Sequence, residues 1–212
     1  MTERELRTFV KEVVASASSN QPPRIVEEFF VGESGRIDLA LIGKTLVGYE
    51  LKSDLDTLNR LPRQMQAYGE VFEYCTLVVT ERHLQRARQE LRPGWGLAVV
   101  SQTLDGTYGY QQIRKARFLK TGSKEAVAGL LWRDEALTLL EQLGQSKGIR
   151  SKPRQILQSR LSEVCDLPQL RSLVAETLTA RQGWQDGQER RASVERFLPE
   201  GGSSRFLARR LR

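Results

Sequence analysis

Two apolar stretches joined by a short turn, residues 36–42 and 46–52, constrain the fold of this 212-residue chain more than any other feature. The Gly-Lys-Thr turn at 43–45 between them predicts a β-hairpin. Each stretch carries one carboxylate, Asp38 in the first and Glu50 in the second, where an ordinary core strand carries Val or Ile. A charge in a buried strand is costly unless it is paired or bound to a metal, so both positions require a specific explanation.

The length of the turn sets which residues face each other. A three-residue turn places Asp38 directly opposite Glu50, with their Cβ atoms roughly 4.5–5.5 Å apart. Lys52 lies two residues after Glu50 and therefore on the same face of its strand. A two-residue turn would shift the register by one residue and separate the two acids, so the predicted pairing depends on the turn.

Two facing acids and a lysine suit metal-dependent hydrolysis of phosphodiester bonds. We predict that Asp38 and Glu50 hold Mg²⁺, for which Mn²⁺ can substitute, with the carbonyl of Leu51 as a third ligand. Lys52 would orient the attacking water and stabilise the developing negative charge. Taken alone, these residues fit equally well a buried Glu50–Lys52 pair with an unrelated Asp38 nearby.

The segment after Lys52 extends the pattern. Pro62 suits the first turn of a helix, on which Gln64 and Tyr68 share one face because they are four residues apart. An acid, an acid-x-lysine and a following helix resemble the PD-(D/E)XK nuclease superfamily, and Gln64-x-x-x-Tyr68 resembles the helix motif of its RecB-like branch. The run 48–62, with its Ser-Asp-x-Asp-Thr-Leu sequence, is similar to a family of uncharacterised bacterial nuclease-like proteins of about this length.

This resemblance implies a fold. It is good from Val26 to about Val79 and thinner through residues 132–135. It implies an α/β protein with a restriction-endonuclease-like αβββαβ core and a mixed central sheet, followed by C-terminal helices. Gly-Arg-Ile at 35–37 stands where the superfamily has a nominal proline before the first acid, a position that varies widely among its members.

The resemblance also implies a function. It indicates a Mg²⁺-dependent nuclease acting on DNA in bacterial DNA repair, recombination or defence. The preference for DNA over RNA rests on the resemblance alone. Two alternatives are a catalytically silent nuclease-fold module that binds nucleic acid or a protein partner, and a subunit that cuts only with a partner. The intact acid-acid-lysine set favours catalysis, and the residues implied for it are Asp38, Glu50, Lys52, Gln64 and Tyr68.

The charge distribution fits a nucleic-acid partner. The chain carries a net charge of +7. Residues 150–212 hold 13 Lys and Arg against 7 Asp and Glu, so this part carries +6 of that charge. Because a basic surface attracts phosphate backbones, arginines in the helix after Lys52 and in the C-terminal tail are candidate DNA contacts. The alternative is that they lie on a solvated helix face and in a disordered tail without binding DNA. The arginines predicted to bind nucleic acid are Arg60, Arg63, Arg205, Arg209 and Arg210.

The sequence also predicts the role or location of several further residues. Glu28 is predicted as an additional metal ligand, since it lies on or beside the strand that precedes Asp38. Two cysteines and one histidine exclude a disulfide framework, a zinc cluster and a His-rich metal site. His83, at a helix start, is predicted to lie on the surface. Trp95 and Trp132 are predicted to lie in the core.

The pattern along the chain predicts a nuclease-like core over 1–122, a helical region packed on it over 123–198, and a basic tail over 199–212. No leader sequence and no membrane-spanning run is apparent, so the sequence predicts a cytoplasmic protein, with a homodimer or a protein partner left open. The predicted strands are 25–31, 36–42, 46–52, 74–80, 95–100 and 108–113. The predicted helices are 2–17, 62–73, 81–91, 123–143, 153–164 and 168–181.

Overall fold

A computed structural model of the chain describes residues 1–17, 22–32, 35–103 and 105–182. The predicted tail, with Arg205, Arg209 and Arg210, lies outside these residues, as does the end of the predicted helical region. The elements in chain order are α1 (Glu3–Ser16), β1 (Arg24–Phe30), β2 (Arg36–Ile42), β3 (Leu46–Lys52), α2 (Leu61–Gly69), β4 (Tyr74–Thr80), α3 (Glu81–Glu90), β5 (Gly96–Gln102), β6 (Tyr108–Arg114), α4 (Lys124–Ala128), α5 (Arg133–Gln142), α6 (Arg154–Val164) and α7 (Leu167–Ala180).

A mixed six-stranded sheet organises these elements, with strands in the order β1-β2-β3-β4-β5-β6. The first three strands form an antiparallel meander, β3, β4 and β5 are mutually parallel, and β6 is antiparallel to β5. The continuous apolar run of β4 is almost entirely buried, as expected for a parallel strand covered on both faces. The prediction of an α/β protein with a mixed sheet and C-terminal helices is therefore confirmed.

Helix α1 covers one face of the sheet. Its buried residues Leu6, Val10 and Val14 recur every four positions and pack on apolar side chains of strands β2 to β6. Those side chains are Leu39, Leu41, Leu51, Val78, Ala98, Val100 and the partly buried Tyr110. The helix begins with a capping box, in which the Thr2 hydroxyl and the Glu5 carboxylate each bond the other residue's backbone N–H. This packing fixes how α1 lies on the sheet.

The helical region after the sheet differs from the prediction in one respect. The predicted helix over 123–143 is two helices, because the chain becomes extended at Trp132 (ψ 166°) before α5 begins. The Glu135 carboxylate accepts the N–H of Trp132 (2.7 Å) and so gives α5 an N-terminus of its own. Side chains cap the two neighbouring helices: Ser123 accepts the N–H of Ala126 at the start of α4, and Asp166 accepts the N–H of Gln169 at the start of α7.

Two predicted side-chain environments were wrong. His83 is buried rather than at the surface, and its Nε2 lies 2.9 Å from the carbonyl oxygen of Ser53. Trp132 is 41% exposed rather than in the core, and its indole ring lies under the guanidinium group of Arg181 (4.2 Å to the ring centroid). Trp95 is buried as predicted. No helix in the described part of the chain is long and apolar enough to span a bilayer.

Candidate active site

The β2–β3 hairpin has the predicted register. Its pairs run from Ile42 opposite Leu46 to Leu39 opposite Tyr49. The same register brings Asp38 level with Glu50, the next position along the strands. There the Asp38 carboxylate accepts the backbone N–H of Leu51 through Oδ2 (2.7 Å). The side chain of Asp38 therefore lies against the backbone between Glu50 and Lys52.

Glu50 uses its two carboxylate oxygens differently. Oε1 accepts hydrogen bonds from Lys52 Nζ (2.7 Å) and from Gln64 Nε2 (2.6 Å). Oε2 is buried and has no hydrogen-bond partner among the described residues. Glu50 is 2% exposed and Lys52 5% exposed, so the ion pair is shielded from water. A buried carboxylate oxygen without a donor is costly, and a cation is the ligand that would satisfy it.

Gln64 and Tyr68 share one face of α2, as their spacing predicts, and both lie at the site, as the resemblance implies. Besides donating to Glu50, Gln64 Nε2 lies 3.4 Å from the hydroxyl oxygen of Tyr68. The Tyr68 hydroxyl donates to the carbonyl oxygen of Arg36 at the start of β2 (2.8 Å). Burial, and secondarily the charge of Glu50, raises the pKa of Tyr68, so the phenol remains a neutral donor. Tyr68 thus links α2 to the strand that carries Asp38.

Burial dominates the electrostatics of the two acids. Burial, followed by the charge of Glu50, raises the pKa of Asp38 to about 7, although the Leu51 N–H, Lys52 and Arg7 act in the opposite direction. Burial also raises the pKa of Glu50, against the opposing effects of Lys52, Gln64 and Tyr68. Two neighbouring buried carboxylates resist simultaneous ionisation unless a positive charge joins them.

Glu28 lies beside the site and is already bound by two arginines. Its Oε1 accepts from Arg7 Nη1 (3.1 Å), and its Oε2 lies 2.8 Å from Arg36 Nη1. Glu28 also has a left-handed backbone conformation (φ 50°), which is uncommon for a residue other than glycine. The prediction of Glu28 as a metal ligand stays a prediction, and in this structure its carboxylate holds the guanidinium groups around the site.

Sequence reasoning missed Arg7. Its Nη2 bonds Glu3 one turn earlier on α1 and lies 3.9 Å from Asp38 Oδ1. The sequence contains no signal for this contact, because it depends on how α1 docks on the sheet. Arg7 therefore adds a second cation, besides Lys52, to the surroundings of the acids.

The predicted nucleic-acid contacts on α2 are exposed. Arg60 occupies the N-cap position of this helix and Arg63 lies in its first turn, one residue before Gln64. Both side chains therefore reach solvent close to the helix residues that contact Glu50. This placement is compatible with phosphate contacts, and the assignment of both arginines to DNA binding stays a prediction.

The candidate metal ligands form a small set. Within the described ranges, no group of three or more His, Cys, Asp and Glu residues is arranged to hold a metal ion. A cation at this site would use the two carboxylates of Asp38 and Glu50 and complete its coordination with backbone oxygen, such as the Leu51 carbonyl, and water. The free Oε2 of Glu50 fits that role.

Comparison with known proteins places the chain in a family. The model of the family described as bacteriophage P4 protein cII matches residues 2–194. Protein cII of Enterobacteria phage P4 is 27% identical over 165 residues, which cover 76% of this chain and 62% of that protein, so the chain spans less than two thirds of this relative's length. The solved structure of the SPO1766 protein of unknown function from Silicibacter pomeroyi aligns with a TM-score of 0.37 and 20% identity over 58% of this chain and 81% of its own. Because the family match covers most of the sequence, the chain belongs to the bacteriophage P4 protein cII family.

Proposed function

We propose that this chain is a metal-dependent nuclease that hydrolyses phosphodiester bonds in DNA, acting in the bacterial cytoplasm in repair, recombination or defence. The observation that carries the proposal is the unpartnered buried oxygen of Glu50 next to Asp38. The element order α1-β1-β2-β3-α2-β4, with β4 parallel to β3, supports the restriction-endonuclease-like core and the PD-(D/E)XK resemblance on which the proposal depends.

The residues present fit Mg²⁺ or Mn²⁺. Asp38 and Glu50 would hold the ion, because hard cations prefer carboxylate oxygens, and the Leu51 carbonyl is the proposed third ligand. Such an ion, when bound, acts as a Lewis acid on a phosphoryl oxygen and lowers the pKa of a coordinated water. A positive charge between the two acids also removes the repulsion that raises the pKa of Asp38.

The other three residues position the reacting groups. Lys52 Nζ, fixed by Glu50, would donate to the oxygen on which negative charge develops. Gln64 holds Glu50 by Oε1 and so directs Oε2 to the cation. Tyr68 braces Gln64 and the start of β2, and its effect on the reaction is through their placement.

A second candidate function is a nuclease-fold module that binds nucleic acid without cutting it. The observation that favours it is internal charge pairing: Glu50 bonds Lys52 directly, and Asp38 lies 3.9 Å from Arg7. A site in which cations already face both acids is stable without a metal. Both functions require binding to nucleic acid, so binding experiments alone do not separate them.

Cleavage assays distinguish the two. We expect the protein to cut a labelled DNA duplex or single strand with Mg²⁺ or Mn²⁺, and to stop when EDTA is added. Asp38→Asn, which keeps an acceptor for the Leu51 N–H but not the charge, should lose this activity while binding DNA as before. Binding without cleavage of duplex DNA, single-stranded DNA and RNA by the unaltered protein would favour the silent module.

A further inference from the structure

The loop between β3 and α2, residues 53–60, begins directly after Lys52. We call it the Leu55 loop. At its tip Leu55 is 83% exposed, the largest exposure among the bulky apolar side chains of the described residues. Isolated exposed leucines are common, so exposure alone carries little weight. The construction of the loop and its charged surroundings make this leucine unusual.

The loop is rigidly built around Leu55. Ser53 is buried, and both its N–H and its hydroxyl donate to Asp56 Oδ2 (2.7 and 2.6 Å). Its carbonyl oxygen lies 2.9 Å from Nε2 of the buried His83. On the other side Leu58 is completely buried. The residues flanking Leu55 are thus fixed, and the fold holds its side chain in solvent.

Arginines surround the loop. From α3, Arg82 donates to the carbonyl oxygen of Asp54 (2.5 Å) and Arg86 approaches Asn59 Oδ1 (3.4 Å). Arg60 ends the loop and Arg63 follows one turn later, both exposed.

Arg86 is paired with Glu90 on α3 (2.5 Å), whereas Arg60, Arg63 and Arg82 form no ion pair with the described residues. Asp54 pairs with the amino group of Met1 (2.6 Å), and Asp56 accepts from Ser53. An apolar tip within a positively charged rim complements a nucleic acid, whose phosphates surround stacked apolar base faces.

We propose that the Leu55 loop is a substrate-binding element and that Leu55 inserts as an apolar wedge into a DNA duplex beside the phosphate to be cut. This inference deepens the proposed nuclease function and rests on it. Leu55 lies three residues after Lys52, a reach of at most about 10 Å, so the wedge would act within a few nucleotides of the reaction. Apolar side chains that enter a base step partly unstack it, while surrounding arginines contact the backbone.

Leu55→Ala tests the wedge with little risk to folding, because the side chain is exposed. Its matched control is Ile156→Ala, which truncates another exposed aliphatic side chain (46%) on α6, outside the loop. The probe is a 25-base-pair DNA duplex carrying 2-aminopurine, an adenine analogue that fluoresces more strongly when unstacked. Affinity, fluorescence and salt dependence are measured in Ca²⁺, and cleavage is measured in Mn²⁺.

We expect Leu55→Ala to bind the duplex about tenfold more weakly, to lose the fluorescence increase, and to keep the melting temperature of the unaltered protein. Its salt dependence should not change, because leucine carries no charge, whereas Arg60→Gln and Arg63→Gln should reduce it. Ile156→Ala should behave like the unaltered protein. Equal affinity and fluorescence in the Leu55 and Ile156 variants would overturn the wedge, and so would the absence of any duplex binding. If the unaltered protein binds with a Leu55-dependent signal but cuts nothing, Leu55 is a wedge for duplex binding only. The nuclease proposal then fails, and with it the placement of the wedge beside a phosphate to be cut.

Discussion

At the scale of single residues, the chemistry of the site depends on how Glu50 divides its contacts. One oxygen receives Lys52 and Gln64, and the other has no donor among the described residues. The ion pair with Lys52 contributes to stability as well as to the proposed reaction, since removing one partner leaves a charge in an almost water-free place. Measurements of stability therefore test the Glu50–Lys52 ion pair without any substrate.

Lys52→Met should lower the free energy of unfolding by about 3–5 kcal/mol at neutral pH, because Glu50 then remains buried without its cation. Adding Glu50→Gln to this variant should restore much of that stability. Urea unfolding of the two single variants and the double variant measures the coupling. Additive effects of the two substitutions would show that the 2.7 Å contact does not act as a pair.

Ionisation of Asp38 should make the folded protein less stable as the pH rises. Because its pKa is about 7 in the folded protein and 3.8 ordinarily, the folded state binds the proton more tightly. The contribution of Asp38 to stability is therefore largest below about pH 4 and is lost as the pH rises towards 7. In EDTA, Asp38→Asn keeps an acceptor for Leu51 and removes this pH-dependent destabilisation, so it should be more stable than the unaltered protein by up to about 4 kcal/mol at pH 8.

The control for this prediction is the same comparison at pH 4, where the two proteins should differ little. Unfolding is followed by circular dichroism in urea at both pH values. A constant difference between the proteins from pH 4 to pH 8 would contradict the assigned ionisation of Asp38. Added Mn²⁺ should stabilise the unaltered protein more than the variant.

At the scale of elements, the break between α4 and α5 and the end of α7 meet at Glu135. This carboxylate accepts the N–H of Trp132, which begins α5, and binds the buried Arg181 through both oxygens (2.6 and 2.5 Å). Arg181 also stacks on Trp132 and donates to the carbonyl of Leu130. One acidic residue therefore fixes both the start of a helix and the docking of the last one described.

Glu135→Ala should destabilise the fold by about 3 kcal/mol, because both of its oxygens are withdrawn from a buried guanidinium group. Asp134→Ala removes a carboxylate that is 92% exposed from the same helical turn and should cost less than about 0.5 kcal/mol. Thermal unfolding of the two variants side by side gives the comparison. Similar destabilisation in both would assign the effect to general charge at the helix N-terminus.

The elements show which features are readable from sequence. Strand alternation and a three-residue turn are local properties, and they predict residues 36–42 and 46–52 at their observed bounds. Helical spacing likewise predicts that Gln64 and Tyr68 share a face, and the resemblance to a known helix motif places that face at the site. The α4–α5 break has only half of a local signal, because Glu135 accepts the N–H of Trp132 but Trp132 has no capping side chain. The other contact of Glu135 comes from Arg181, 46 residues away. The sequence did not predict the environments of Arg7 and His83 for the same reason. Their partners, which are Glu28 and Asp38 for Arg7 and Ser53 for His83, lie 21 to 31 residues away in sequence.

At the scale of the whole molecule, charge is unevenly distributed. Residues 150–212 carry +6 of the net +7, and much of this part lies outside the described residues. The candidate site lies in the nearly neutral remainder of the chain. If the basic part binds DNA, it supplies attraction that does not depend on nucleotide sequence, while the site supplies the chemistry.

Deleting residues 201–212 removes Arg205, Arg209, Arg210 and Arg212 and no carboxylate. Affinity for duplex DNA falls as salt rises, and each neutralised phosphate makes the slope of log affinity against log salt steeper by about 0.9. Removing all four arginines should therefore make this slope shallower by roughly 3–4. Fluorescence anisotropy at several salt concentrations measures this slope. An unchanged slope would show that these arginines do not touch phosphates.

The hydrogen bond from the Leu51 amide to Asp38 gives the site an internal reporter. An amide proton that points at a carboxylate changes its chemical shift when that carboxylate ionises or binds a cation. In an ¹⁵N-labelled sample, a titration of the Leu51 resonance with pH and then with Mg²⁺ follows the state of Asp38 directly. The occupancy of the site can thus be observed by nuclear magnetic resonance in the resting protein, before any substrate is known.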